Sequence, residues 1–210
     1  DMVKAEAELV FDPPPEDLEA PADKPRNTAK ALFDLIESAR KEILIESAYL
    51  ILADEQLNGL DNLGNHGLKV AAITNSLATN DLVTNHSGYA RWRREMLEQG
   101  FDLYELRPDA PACKRWVANE QACDKGVISL HSKAVVFDRE TLFIGSFNVN
   151  LRSIYLNGET VLVIRSPQLA RAVAEDIERA MAPENSWRVS LNEQGSLVWQ
   201  SRDGEVYQEP

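Results

Sequence analysis

Apolar residues recur along the chain in two rhythms, a period of two and a period near three and a half, and their alternation predicts the architecture. "AELVFDPPP" reads as a short strand stopped by prolines, and the acidic, proline-rich run to Pro25 as an exposed arm. Asn27 or Thr28 can cap a helix to about Arg40, with Ala31, Leu32, Leu35, Ile36 and Ala39 on one face. "KEILIESAYLIL" reads as a buried strand. A helix near Asp54 to Asn62 follows, then a strand "LKVAAIT", a polar loop "NSLATNDLVTN", a helix from about His86 to Gln99 and a strand "FDLYELR". Residues 108–126 read as a long loop, partly helical around "CKRWVANEQA", and loops of that length beside a site often act as lids. Strands "SLHSKAVVFD" and "TLFIGSF" are joined by the turn "DRET", and a third, "GETVLVIRS", comes after a polar loop. "SPQLARAVAEDIERAMA" is a helix capped at Ser166 with Pro167 at its first position, and the closing segment alternates around "NEQG" as a hairpin.

This β/α alternation predicts an α/β fold: a mixed, largely parallel sheet flanked by helices on both faces, with a C-terminal β-hairpin. Residues 1–27 are expected to form the strand and arm, and 28–210 one domain. No internal repeat is found.

Composition narrows the partners. With 22 basic and 34 acidic residues the net charge is −12, so non-specific attraction to nucleic acid or to an anionic membrane surface is disfavoured and any phosphate site must be local. No apolar run approaches bilayer length and the N-terminal stretch lacks signal-peptide character, so the chain is expected to be soluble. Cys113 and Cys123 lie in a polar stretch without CxxC or metal spacing, and two free thiols are expected rather than a disulfide.

The chemistry concentrates between Ser129 and Glu159. His131, Lys133, Asp138, Gly145 and Ser146 fit HxKxxxxDxxxxxxGS. Residues two apart on a strand share a face, so His131 and Lys133 project together, and Ser146 and Asn148 form a second such pair. An imidazole, an ammonium, a hydroxyl and an amide on one patch suit a phosphodiester: positive charge and donors for the non-bridging oxygens, with histidine to attack phosphorus or move a proton. No metal or other cofactor is needed for that chemistry. Asp138 opening a "DRET" turn is explained by turn chemistry alone.

The pattern resembles the phospholipase D superfamily. That resemblance implies catalytic roles for His131, Lys133, Ser146, Asn148 and Glu159, with Asp138 and Gly145 as structural members of the motif. Asn148 falls at a phosphate-contacting position and Glu159 where an acid orients a catalytic histidine, one belonging to the opposite motif copy. The superfamily builds its site from two HxK motifs, whereas this chain has one; neither His66 nor His86 has a lysine two residues on. The expectation is therefore a missing N-terminal HxK half or a homodimer mate.

"TNSLATNDLVTNHSGYARWRREMLEQGFDLYELRPDA", "GSFNVNLRSIYLNGE" and the closing hairpin resemble the C-terminal half of bacterial two-motif enzymes similar to cardiolipin synthases. The resemblance implies phosphatidyl transfer on a phospholipid substrate through a phosphohistidine, with His131 as general acid and base and the nucleophile in the other half. It also implies that Asn75, Asp81, His86 and Tyr89 shape a pocket for a head group or acceptor alcohol, and that the full-length protein is peripheral to the bacterial membrane or cell envelope. There are departures: "SAYL" stands where relatives often read "SPYF", and Asn150 and Leu151 stand where many read aspartate and proline. Arg91, Trp92, Arg93 and Arg94 read as a solvated helix face. The competing readings are a homodimeric single-motif phosphodiesterase or nuclease, which an acidic chain disfavours, and a catalytically incomplete half-domain.

Overall fold

A computed structural model describes residues 2–14, 23–52, 56, 67–117, 120–125, 128–201 and 204–209. Ten strands form one sheet: β1 (Glu6–Phe11), β2 (Glu42–Ser47), β3 (Lys69–Asn75), β4 (Asp102–Leu106), β5 (Lys133–Phe137), β6 (Thr141–Gly145), β7 (Thr160–Arg165), β8 (Ser186–Leu191), β9 (Leu197–Gln200) and β10 (Val206–Tyr207). Their order is β1-β7-β6-β5-β2-β3-β4-β8-β9-β10. The helices are α1 (Asn27–Ser38), α2 (Val83–Glu98), α3 (Cys113–Trp116), α4 (Leu151–Tyr155) and α5 (Pro167–Met181), with a 3-10 turn over Glu120–Lys125. The expected helix near Asp54 to Asn62 falls almost wholly outside the described residues.

The mixed sheet, its flanking helices and the closing β8–β9 hairpin are as the sequence predicts, but the parallel share is smaller. Among the strands of the described residues only β2–β3 and β3–β4 pair in parallel. A parallel pair needs a crossover of about a dozen residues or more, and only those two connections lead to an adjacent strand that way. After β4 the chain returns through the long loop and enters β5 antiparallel to β2. β5, β6 and β7 then meander antiparallel. The β5–β6 turn places Asp138 and Arg139 in left-handed backbone, φ 53° and 56°. The connection is three residues long, and the Glu140 N–H donates to the Phe137 carbonyl, closing a turn whose two left-handed central residues match the twist of the flanking strands.

α1, α2 and α4 cover one face of the sheet, where Leu32, Tyr89, Met96 and Ile154 pack on Ile43, Ile45, Val135 and Phe143. α5 covers the other, laying Ala170, Ala174 and Ile177 on Leu44, Ile73, Val136 and Leu142. Ser166 Oγ accepts the Leu169 N–H, so the cap at the start of α5 is the predicted one.

The start of α1 differs. Its cap position is Arg26, and the side chain that serves it is distant: Asp12, just past β1, accepts the Thr28 N–H at 3.0 Å and the Thr28 hydroxyl at 2.6 Å. The N-terminal strand is accordingly part of the main sheet, paired with β7 from Glu6 to Phe11. The cysteines are also corrected: Cys113 and Cys123 form a disulfide, because α3 and the 3-10 turn fold back on each other with the two Cα atoms 5.9 Å apart.

Candidate active site

Apart from Lys133, the first residue of β5, the chemistry-bearing residues sit just beyond strand ends rather than within strands. β5 begins at Lys133, leaving His131 on the extended approach to it; β6 stops at Gly145, one residue before Ser146; β7 starts one residue after Glu159. A chain leaving a ladder must find other partners for its backbone, and side chains supply them. Asn75 accepts the Leu130 N–H at 2.8 Å and donates to the Leu130 carbonyl at 2.9 Å, fixing the residue before His131. Ser47 Oγ accepts the Val149 N–H, and Ser146 Oγ accepts the Thr160 N–H, both at 3.0 Å.

Gly145 is required by close approach. A Cβ there would stand 2.2 Å from the Thr160 carbonyl oxygen and 2.7 Å from Val161 Cα. Only glycine lets β6 and β7 cross so closely, and the crossing delivers Ser146 to Glu159.

Glu159 is buried, and its carboxylate accepts hydrogen bonds from the hydroxyls of Ser146 and Ser153 and from the Asn157 amide. Its backbone is held too, since the Glu159 N–H donates to Asp12 at 3.1 Å. Lys133 Nζ donates to the His131 carbonyl at 2.7 Å and lies 6.0 Å from the centre of the Tyr49 ring. That ring meets the His131 imidazole edge-on at 6.3 Å, and the Tyr49 hydroxyl donates to Asp81 at 2.9 Å. Burial pushes the Lys133 ammonium below its usual value, and the charges of Glu159 and Asp81 offset part of that. Burial, reinforced by Asp81, raises the Tyr49 phenol. The cluster thus contains an exposed imidazole, a half-buried cation, a hydroxyl and two carboxylates. Asn148 is buried beside it, with an Oδ1 atom that has no hydrogen-bond partner among the described residues.

Asp138 stands apart, with a structural task. It accepts the backbone N–H groups of Arg40 at 2.9 Å, Lys41 at 2.7 Å and Glu42 at 3.0 Å, tying the β5–β6 turn to the start of β2. Burial acts to raise its carboxyl, but the three donors prevail and hold it below the ordinary value.

The four residues expected to line a head-group pocket divide. Asp81 joins the cluster through Tyr49, whereas the Asn75 side chain is buried and committed to Leu130 and Ala48. His86 and Tyr89 belong to a separate buried network built around Arg93, which is 1% exposed and not on a solvated face. Arg93 pairs with Glu105 at 3.1 Å, shares Glu209 with His86, and stacks on Tyr89 and Trp199. The helix turns Arg93 inward because Glu105, fully buried on β4, needs a counter-ion. Tyr49, Ser47, Ser153 and Asp12 are the site residues that pattern reading did not assign. Tyr49 and Ser153 fall at positions where the family pattern is kept but carry no role that the pattern assigns, whereas Ser47 and Asp12 act through contacts about a hundred residues or more away in sequence.

Residues 32–181, more than half of the chain, match the family described as "Cardiolipin synthase, PLD-like domain". The chain belongs to that family. It is 34% identical over 209 residues to cardiolipin synthase C of Escherichia coli, which covers 96% of this chain and 42% of that protein. With cardiolipin synthase A of Buchnera aphidicola (subsp. Schizaphis graminum) it shares 29% identity over 169 residues, 78% of this chain and 30% of the relative. The PLD-like domain therefore spans less than half the length of these curated relatives. Among solved structures, phosphatidylserine synthase of Haemophilus influenzae superposes with a TM-score of 0.65 at 15% identity, over 91% of this chain and 42% of that one. Nuc of Salmonella typhimurium, a phospholipase D family member, gives 0.56 at 17% identity over 83% and 93%. At those identities the shared feature is the fold of the PLD-like domain.

Proposed function

We propose that the domain contributes one half of a phosphodiester-transfer site acting on phospholipids, and that the complete protein is a phosphatidyltransferase of cardiolipin synthase type. The observation that carries this is the convergence of His131, Lys133, Ser146 and Glu159 at three neighbouring strand ends, in a chain alignable over 96% of its length with less than half of a cardiolipin synthase. In this reading a histidine of the second half attacks phosphorus, the bond to the head-group oxygen breaks, and the His131 imidazolium gives that oxygen its proton. His131 then takes the proton from the acceptor alcohol as its oxygen displaces the histidine, restoring both groups. Lys133 and the Ser146 hydroxyl stabilise the charge on the non-bridging oxygens. Glu159, anchored by three donors, keeps Ser146 in place and turns its remaining acceptor capacity toward the partner half's histidine. Asp81 and Tyr49 border the head-group side. No helix of the described residues is long and apolar enough to cross a membrane; we assign membrane contact to the assembled full-length protein, peripheral to the bacterial membrane or envelope.

A second reading, a homodimer of single-motif chains, has a specific support: the fold covers 93% of Nuc. The deciding experiment assays the full-length protein on purified phospholipid vesicles beside its His131→Ala variant. Formation of a dimeric phospholipid that His131→Ala reduces by at least a thousandfold is expected. Equal product from both proteins would overturn the proposal, and a 210-residue chain that dimerises and cleaves a chromogenic phosphodiester alone would favour the second reading.

A further inference from the structure

A cavity of about 410 Å³ opens beside His131 on the α5 face of the sheet, behind the HxK segment. Its size falls in the range of ligand pockets. Trp116, Val117, Ile128, Leu130 and Val173 line it, and its polar groups come from Glu46, Ser129, His131, Ser132 and Asp176. Lysine and arginine are absent from its described lining while two carboxylates are present, so apart from the His131 imidazole a phosphate or carboxylate ligand finds no counter-charge inside.

The cavity continues into a groove. Glu46 pairs with Ala134, Ala134 with Ile144, Ile144 with Leu162 and Leu162 with Leu9, so one cross-strand row runs through β2, β5, β6, β7 and β1. Directly paired residues point to the same face. Exposure climbs along the row from 3% at Ala134 to 36% at Ile144, 40% at Leu162 and 60% at Leu9. Four strand spacings make it roughly 19 Å long. The next row inward, with Val136 and Leu142, lies under α5. The next row outward begins at Ser132 and leads through Ser146 and Thr160 to Phe11, along the margin of the candidate site. The groove is thus apolar along its floor, one side chain wide where Ser132, Ser146 and Thr160 flank it, open to solvent toward Leu9 and Phe11, and met at its deep end by hydrogen-bonding groups.

We propose that this cavity and groove bind one hydrocarbon chain of the phospholipid substrate. The inference rests on the function proposed above. A flat protein partner would need a broad patch, whereas a single apolar row between a helix and a polar margin fits a flexible alkyl chain. A chain lying there runs one pleat from Ser146, so its head group reaches the phosphate site. Burial raises the Glu46 carboxyl, with Ser132 hydrogen bonding opposing and Asp176 adding to the rise, which favours the neutral form suited to an uncharged end of the groove.

The test uses monododecanoyl glycerol, a single-chain amphiphile without phosphate, titrated below its micelle concentration while tryptophan emission is followed. Saturable binding is expected, with the signal lost in Trp116→Phe. Leu162→Asp and Leu9→Asp, both at exposed positions, should weaken binding at least tenfold and about threefold respectively, and Arg188→Ala, on β8 toward the other edge of the sheet, should leave it unchanged. Absence of saturable binding, or binding indifferent to Leu162→Asp, overturns the proposal. So does sedimentation showing that the two aspartate variants dissociate a dimer without affecting the probe, since the row would then be a contact between copies. Binding retained in a full-length protein that transfers no phosphatidyl group would sink the functional reading and leave the groove standing; transfer without binding has the reverse meaning.

Discussion

A single methyl group added at position 145 would meet backbone on both sides, since neither Thr160 nor Val161 can rotate out of its way. Gly145→Ala is therefore expected to cost about 2–3 kcal/mol in urea unfolding, the upper end for overpacking, and to separate Ser146 from Glu159. Asp138 offers a gentler comparison. Its lowered carboxyl gives stability that is full above the ordinary carboxylate value and lost as pH falls through the lower folded one. Asp138→Asn should cost about 1 kcal/mol near neutrality, because the bonds are charge-assisted but partly exposed, and progressively less toward acid. An unchanged penalty at low pH would remove the carboxylate from the explanation. Lys133 is governed by opposing effects: burial lowers it and Glu159 lifts it. Glu159→Gln removes the lift, so the Lys133 ammonium, followed by NMR of labelled lysine, should lose its proton at lower pH than in the parent.

Among the elements, α2 shows how far a local pattern can mislead. Three arginines and a tryptophan in succession read as a wet face, yet the helix buries Arg93 against Glu105, packs Trp92 half-buried against the core and leaves only Arg91 and Arg94 of the four exposed. Breaking a buried pair leaves one charge without compensation, so Arg93→Met should destabilise by about 3–5 kcal/mol, while Arg93→Met with Glu105→Leu should recover most of that. Chemical denaturation of the four proteins of that cycle measures it, and additive losses would argue against coupling. The strand ends carry the complementary lesson. Periodicity located the strands holding His131, Ser146 and Glu159, but each ladder stops short of the residue that matters. The stops come from Asn75, Ser47 and Gly145, whose partners lie far away in the chain.

For the whole molecule, the disulfide ties Cys113 to Cys123 inside the connection between β4 and β5, spanning the position of Trp116. Cys113→Ser with Cys123→Ser is expected to lower stability by about 2–3 kcal/mol on loop-entropy grounds, read as a fall in melting temperature that reducing agent reproduces in the parent and not in the variant. Most of the architecture was legible along the chain: the β/α order, the capped α5, the closing hairpin and the motif that gives the family. The strand directions were legible only in part, since a long connection can return a chain parallel or antiparallel and its sequence does not say which.

The sequence by itself determined the family, because histidine, lysine, glycine and serine at fixed spacing carry its motif whatever surrounds them. Tertiary structure alone decided which polar residues serve that site. Asp81 reaches it through Tyr49, Asn75 supports it from behind, and His86 and Tyr89 turn to a buried arginine. Hydrogen bonds and ion pairs depend on distance in space, and spacing along the chain encodes distance only within one strand or one helix.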